Sequence, residues 1–186
     1  MKAALALFLC AMAGLGLAPS AAQQPPAPMV IEVEKLKDNL FMLRGGGGNT
    51  AVFVTATGVV VVDTKNPGWG KPILDKIRER TDKPVTTIIN THTHSDHVGG
   101  NAALKARHGC RIVVPAGSFD AIRTWDHAAM HFARMGQVCD RFDADDAIAD
   151  GDRIEFGDLD WQVLGSPGHD MDSLLLYQAR HGILIS

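Results

Sequence analysis

The chain is poor in cysteine, aromatics and net charge. Three Cys in 186 residues are too few for a disulfide-stapled scaffold. A formal charge of −3 leaves no basic surface to bind nucleic acid. Aromatic residues are only 6% of the chain, with a single Tyr, yet 46% of the residues are hydrophobic. That composition excludes a disordered or fibrous chain and supplies one ordinary core. No internal repeat of solenoid length is present.

Apolar runs are short, with one exception at the start. Lys2 precedes an apolar or small stretch from Ala3 to Leu17, and Pro19-Ser20-Ala21-Ala22 comes next, with small residues at the −3 and −1 positions of a cut after Ala22. Residues 1–22 are read as a secretory signal peptide, too short for a transmembrane helix. Its removal leaves a protein with no stable membrane insertion, secreted and held in a bacterial periplasm. Gln23 to Pro28 carries three Pro in six residues and reads as a leader, and the domain is expected over 29–186. Cleavage leaves Cys110 and Cys139; sequence alone leaves open a bridge or two buried thiols.

Short β-branched runs dominate the domain. Strands are expected at Val30–Val33 and Leu40–Leu43, then a hairpin of Thr50–Thr55 and Val59–Val62 after the four glycines Gly45–Gly48. Val59–Val62 is apolar at every position and so buried on both faces. Helical spacing predicts Pro72–Arg80, Gly99–Arg107 and a long helix Gly117–Met135. Further strands are expected at Val85–Ile89, Cys110–Val114, Arg153–Phe156, Leu159–Leu164, Ser173–Tyr177 and Gly182–Ile185. The alternation makes a mixed α/β domain. The apolar strand at the chain's end is read as a sign that the protein continues beyond it.

The chemistry concentrates in Asn90-Thr91-His92-Thr93-His94-Ser95-Asp96-His97-Val98-Gly99-Gly100-Asn101. Imidazole and carboxylate at this density suit Zn²⁺, with Fe or Mn as alternatives. Residues 92 and 94 share one side of an extended segment, and Gly99-Gly100 lets the backbone pass close by. Downstream, Ser166-Pro167-Gly168-His169-Asp170 places a third imidazole at another strand end. Asp170 and Asp172 are read as solvated turn residues rather than partners of His169. His127 and His131 are read as ordinary positions of a surface and core helix.

His-Thr-His-Ser-Asp-His with Gly-Gly-Asn, and Pro-Gly-His downstream, resembles the metallo-β-lactamase fold superfamily. The resemblance runs from about Val33 to the chain end and includes Asn49-Thr50 and the strand Gly58 to Asp63, whose Asp matches the family's structural aspartate. It implies an αββα sandwich with the C-terminal half incomplete. It also implies two zinc ions in a complete site: His92, His94 and His169 match the first, Asp96 and His97 part of the second. A bridging aspartate and a last His, which the family places further on, are expected beyond Ser186. The implied activity is that of a metal-dependent hydrolase acting on a small-molecule substrate, where a metal-bound hydroxide attacks an ester, thioester, lactone or amide and Asp96 handles the proton. A β-lactam is one such amide. The alternatives are a mononuclear iron sulfur dioxygenase and a non-catalytic metal-binding remnant. His94, where the family's electron-transfer members carry an acid, argues against that role.

Overall fold

A computed structural model describes residues 29–132, 136, 138–157 and 159–186. The proposed signal peptide, its cleavage site and the Pro-rich leader lie outside the described residues.

Seven strands form the first sheet in chain order: β1 (Glu32–Lys37), β2 (Leu40–Arg44), β3 (Thr50–Val54), β4 (Val59–Val62), β5 (Val85–Ile89), β6 (Arg111–Pro115) and β7 (Asp146–Ile148). β1 to β4 are antiparallel neighbours, and β4 to β7 are parallel. The parallel strands are joined through helices α1 (Gly70–Arg78), α2 (Ser95–Val98), α3 (Asn101–His108) and α4 (Phe119–Thr124), the last preceded by a short 3₁₀ turn, Ala116–Ser118. The second sheet is fully antiparallel, in the order β11 (Ile183–Ile185), β10 (Leu174–Gln178), β9 (Leu159–Gly165), β8 (Arg153–Phe156).

The alternation of strand side chains divides the apolar residues between two cores. Val59 and Val61 of β4 join Ile73, Ile77, Leu104 and Ile122 on the helix side. Val60 and Val62 face the second sheet, meeting Phe53, Trp161, Val163 and Leu176. The four-valine strand is therefore buried on both faces, as its composition implies. Between the sheets Trp161 stacks on Phe156 with ring centroids 4.6 Å apart, and Phe53 meets Phe156 edge-on at 5.7 Å. The described residues thus build helix, sheet and sheet layers. No helix among them is long and apolar enough to cross a membrane.

Three expectations need correction. The first strand starts at Glu32 instead of Val30 and is mostly exposed, a charged edge that discourages further pairing. β7 is an unexpected strand of only three residues, too few to show a period in the sequence. The helix expected over 117–135 stops at Thr124, where Trp125 turns left-handed at φ 58°. There Asp126 accepts the Ala128 and Ala129 N–H groups and starts a separate turn. Trp125 meanwhile packs against Phe132 and Phe142, with ring centroids 5.9 and 5.5 Å away. Tertiary aromatic packing and a local cap here outweigh helical periodicity.

Cys110 and Cys139 are both buried free thiols, so the bridged alternative does not hold. Burial pushes their pKa values up to about 11 and about 12. Neither forms much thiolate near neutrality. Iodoacetamide at pH 8 is therefore expected to leave both unmodified in the folded protein and to alkylate both in denaturant, read as mass additions on their peptides.

Candidate metal centre

The parallel strands β4 and β5 end side by side, with Val62 opposite Ile89. Their carboxyl ends, where open α/β sheets offer a binding crevice, carry the polar residues of the site. Asp63 leaves β4 at φ 59°, an unusual angle for any residue but glycine. Its carboxylate is buried and accepts three hydrogen bonds. The Thr91 N–H donates at 2.8 Å, the Thr91 hydroxyl at 2.6 Å and His97 Nδ1 at 2.7 Å. His97 is thereby oriented with Nε2 toward Asp96, 3.6 Å from Oδ2.

A network of buried side chains supports the same turn. Asn90 Nδ2 donates to the His97 carbonyl at 2.9 Å, and Asn101 Nδ2 donates to Asn90 Oδ1 at 2.8 Å. Thr64 closes the ring, its hydroxyl donating to Asn101 Oδ1 at 2.8 Å and its N–H to the His97 carbonyl at 2.7 Å. Gly100 lies so close to Thr64 that a Cβ would come within 2.7 Å of the Thr64 carbonyl oxygen. That contact accounts for the glycine.

The structure brings together all five residues singled out in the sequence, in two overlapping groups. His92, His94 and His169 form one, and His92, Asp96 and His97 the other, with the donor atoms of each group within 4.8 Å of one another. His94 Nδ1 is 2.9 Å from His169 Nε2, so these two ring nitrogens face each other at hydrogen-bond distance. His92 takes part in both groups, a sharing that spacing along the chain does not reveal.

Two further residues sit differently from expectation. Asp170 is buried rather than solvated, with Oδ2 3.6 Å from His94 Nε2. It faces the nitrogen of His94 that points away from His169, not His169 itself. Its Oδ1 accepts the Asp172 N–H at 2.8 Å, and Asp172 in turn accepts from Ser118 at 3.2 Å. At 3.6 Å this carboxylate offers the His94 ring a nearby charge rather than a hydrogen bond. His131 is an exposed residue at φ 57° whose ring centroid is 5.7 Å from that of His94, instead of an ordinary helix position. Sequence spacing offered no signal for either placement, nor for Thr91.

The donor set fits a divalent cation. Among the described residues, His92 Nε2 and Asp96 Oδ1 are buried with no hydrogen-bond partner, and both belong to the clusters. A buried acceptor without a donor costs about 1–3 kcal/mol, and a cation in its place removes that cost. Burial, with His97 nearby, lowers the His92 pKa to about 4. Burial also lowers that of His94, against the opposing pull of Asp170. Both imidazoles are therefore neutral at pH 7, the form that binds metal.

The metallo-beta-lactamase superfamily model matches residues 43–186. The chain belongs to this superfamily. It is 35% identical over 96 residues to a hydroxyacylglutathione hydrolase of Rhodopseudomonas palustris strain HaA2, covering 52% of this chain and 30% of the relative. A hydroxyacylglutathione hydrolase of Bradyrhizobium sp. strain ORS 278 is 36% identical over 118 residues, covering 63% and 37%. Among solved structures, BJP-1, a subclass B3 metallo-beta-lactamase of Bradyrhizobium japonicum, superposes with a TM-score of 0.69 at 26% identity over 79% of this chain and 56% of its own. GOB-18 from Elizabethkingia meningoseptica gives 0.70 at 19% identity over 89% and 65%, a likeness of fold. The chain thus spans about a third of the length of these curated relatives.

His97 titrates in the opposite sense to His92 and His94. Burial disfavours its charge, but the Asp63 carboxylate and the nearby Asp96 outweigh that and raise its pKa. Below 6.5, the unfolded chain holds more protons than folded His92 and His94, so stability rises with pH from about 4 to 6.5. Above 6.5 folded His97 holds the extra proton, so its contribution is lost as pH rises through its folded pKa. Urea midpoints of the chelator-treated protein are expected to pass a maximum near pH 6.5, and His97→Gln is expected to abolish the fall between pH 6.5 and 8, below the range where Lys65 and the two cysteines contribute.

Proposed function

We propose that this chain carries the metal-binding part of an exported metallohydrolase whose substrate is a small-molecule thioester or related carbonyl compound. The observation that carries the reading is the convergence of His92, His94 and His169 beside Asp96 and His97, with two buried acceptors left without donors. His92, His94 and His169 would hold one ion, and Asp96 with His97 would contribute to a second, zinc being the metal that this donor chemistry favours. The thioester class is supported by the relatives at 35% and 36% identity, both named hydroxyacylglutathione hydrolases. The likeness to a subclass B3 enzyme at 26% identity supports a β-lactam as the second reading. The apolar segment after Lys2 supports export to the periplasm.

A divalent ion bound here supplies Lewis acidity toward a carbonyl oxygen and toward water. The protein's own groups supply the rest. With one Asp96 oxygen toward the ion, the other would orient the attacking water, accept its proton and pass it to the leaving group. Asp63 fixes the His97 ring through a hydrogen bond at Nδ1, and the Asp170 carboxylate stands 3.6 Å from His94 Nε2. The His97 imidazole then does not have to reorganise during the reaction.

The test uses the native protein purified without chelator. Elemental analysis is expected to find zinc; iron in its place, with sulfur oxidation, would overturn the hydrolase reading in favour of the dioxygenase. Hydrolysis of a hydroxyacyl thioester of glutathione is compared with that of a chromogenic cephalosporin, and faster cephalosporin turnover reverses the order of the two substrate readings. Asp96→Asn is expected to lower kcat by about 10²- to 10⁴-fold while the three-His group keeps its metal. Retention of the full rate would remove Asp96 from its role. Asp170→Asn is expected to weaken metal binding by about 10- to 100-fold in competition with a chromogenic chelator.

A further inference from the structure

Lys65 is a buried cation that the hydrolytic chemistry leaves unused. The side chain is fully buried, and its Nζ donates to the Leu43 carbonyl at 2.6 Å and the Gly48 carbonyl at 2.9 Å. Among the described residues no charged partner contributes to its titration, and burial lowers its pKa to about 8. A buried charge without a counter-ion is costly, and an apolar side chain of similar length would avoid that cost. What the ammonium adds is a link between two carbonyls. Leu43 lies near the end of β2 and Gly48 just before β3, so one group ties both ends of the Gly45–Gly48 loop.

The loop so tied packs against the backbone of Asp96. Gly48 has φ +46°, and a Cβ there would lie 2.5 Å from the Asp96 carbonyl oxygen. Gly46 and Gly47 are equally close to the Trp69 ring and the Asn66 side chain, where a Cβ would lie 2.4 and 1.9 Å away. Lys65 also reaches the C-terminal end of the same turn, because its own carbonyl accepts the Gly99 N–H at 2.9 Å. It adopts φ 63°, a strained angle for a residue with a Cβ, between Asp63 and the asparagine that covers the loop. The Asp96–His97 turn is thus held from one residue at two points, through Gly48 against the Asp96 carbonyl and through the Gly99 N–H on Lys65 itself.

We propose that Lys65 is a positioning residue that holds the Gly45–Gly48 loop against the Asp96–His97 turn and so sets the Asp96 half of the metal centre. The metal part of this inference rests on the proposed function; the mechanical part does not. Two variants test it. Lys65→Met removes the two hydrogen bonds and keeps most of the volume. Gly48→Ala leaves Lys65 in place and forces the loop away from Asp96, so it reads the same contact if the first variant fails to fold.

Hydrogen exchange on the chelator-treated protein is read first. In both variants, amides of residues 44–50 and of 94–99 are expected to exchange at least about 10-fold faster, with β9 and β10 unchanged. Faster exchange confined to 44–50 overturns the proposal and leaves Lys65 as a filler of the loop. Cobalt titration of the native protein, followed by its visible spectrum, is read second. The equivalent that depends on Asp96 is expected to weaken by at least about 10-fold, while the three-His equivalent keeps its affinity. Equal affinities in variant and wild type overturn the effect on the metal centre. Failure of the wild type to bind cobalt at all would sink the metal reading, and the exchange result would still decide the role of Lys65.

Discussion

The site depends on one buried carboxylate. Asp63 ends a strand that is buried on both faces, and its two oxygens accept from the backbone and hydroxyl of Thr91 and from His97 Nδ1. Those three bonds join the ends of β4 and β5 and choose which nitrogen of His97 faces Asp96. Without the carboxylate, the Thr91 N–H would lose its partner, at a cost of about 1–3 kcal/mol, and His97 Nδ1 would lose the acceptor that orients its ring. The left-handed backbone at Asp63 is local strain held in place by that pairing.

Around this anchor the fold distributes two kinds of support. The Asn90, Asn101 and Thr64 network fixes the backbone of the His92–His97 turn from beneath. Asp170 stands beside the His94 ring, and Lys65 ties the glycine loop that lies against Asp96. The rigidity comes from the parallel strands and their two cores, which place residues from distant parts of the chain within hydrogen-bond reach. Sites carried on such strand ends are held more firmly than sites carried on free loops.

The departures from expectation have a common physical origin. The helix expected over 117–135 has good periodicity, yet Trp125 gains more from Phe132 and Phe142 than from continuing the helix. The same break carries His131 to the rim of the metal centre, beside His94. Asp170 looks like a turn residue because its neighbours Met171 and Asp172 are turn-like. Its burial follows only from the packing of the 166–173 segment against the end of β5, where the Leu174 N–H donates to the Thr91 carbonyl.

The amino-acid sequence alone determined the ligand types, their order and the strands that carry them. Imidazole and carboxylate are chemically distinctive, and four valines in a row can be stable only when buried on both faces. Tertiary structure decided which ring nitrogens converge, that His92 belongs to both groups, and which groups stand behind each ring. Those contacts join residues 75 apart for His94 and His169 and 34 apart for His97 and Asp63. No local period or spacing encodes such a pairing, because it is set by where the strand ends meet in space. The burial of Lys65 is of the same kind, since its partners at Leu43 and Gly48 are backbone carbonyls, which every residue has and no sequence pattern marks.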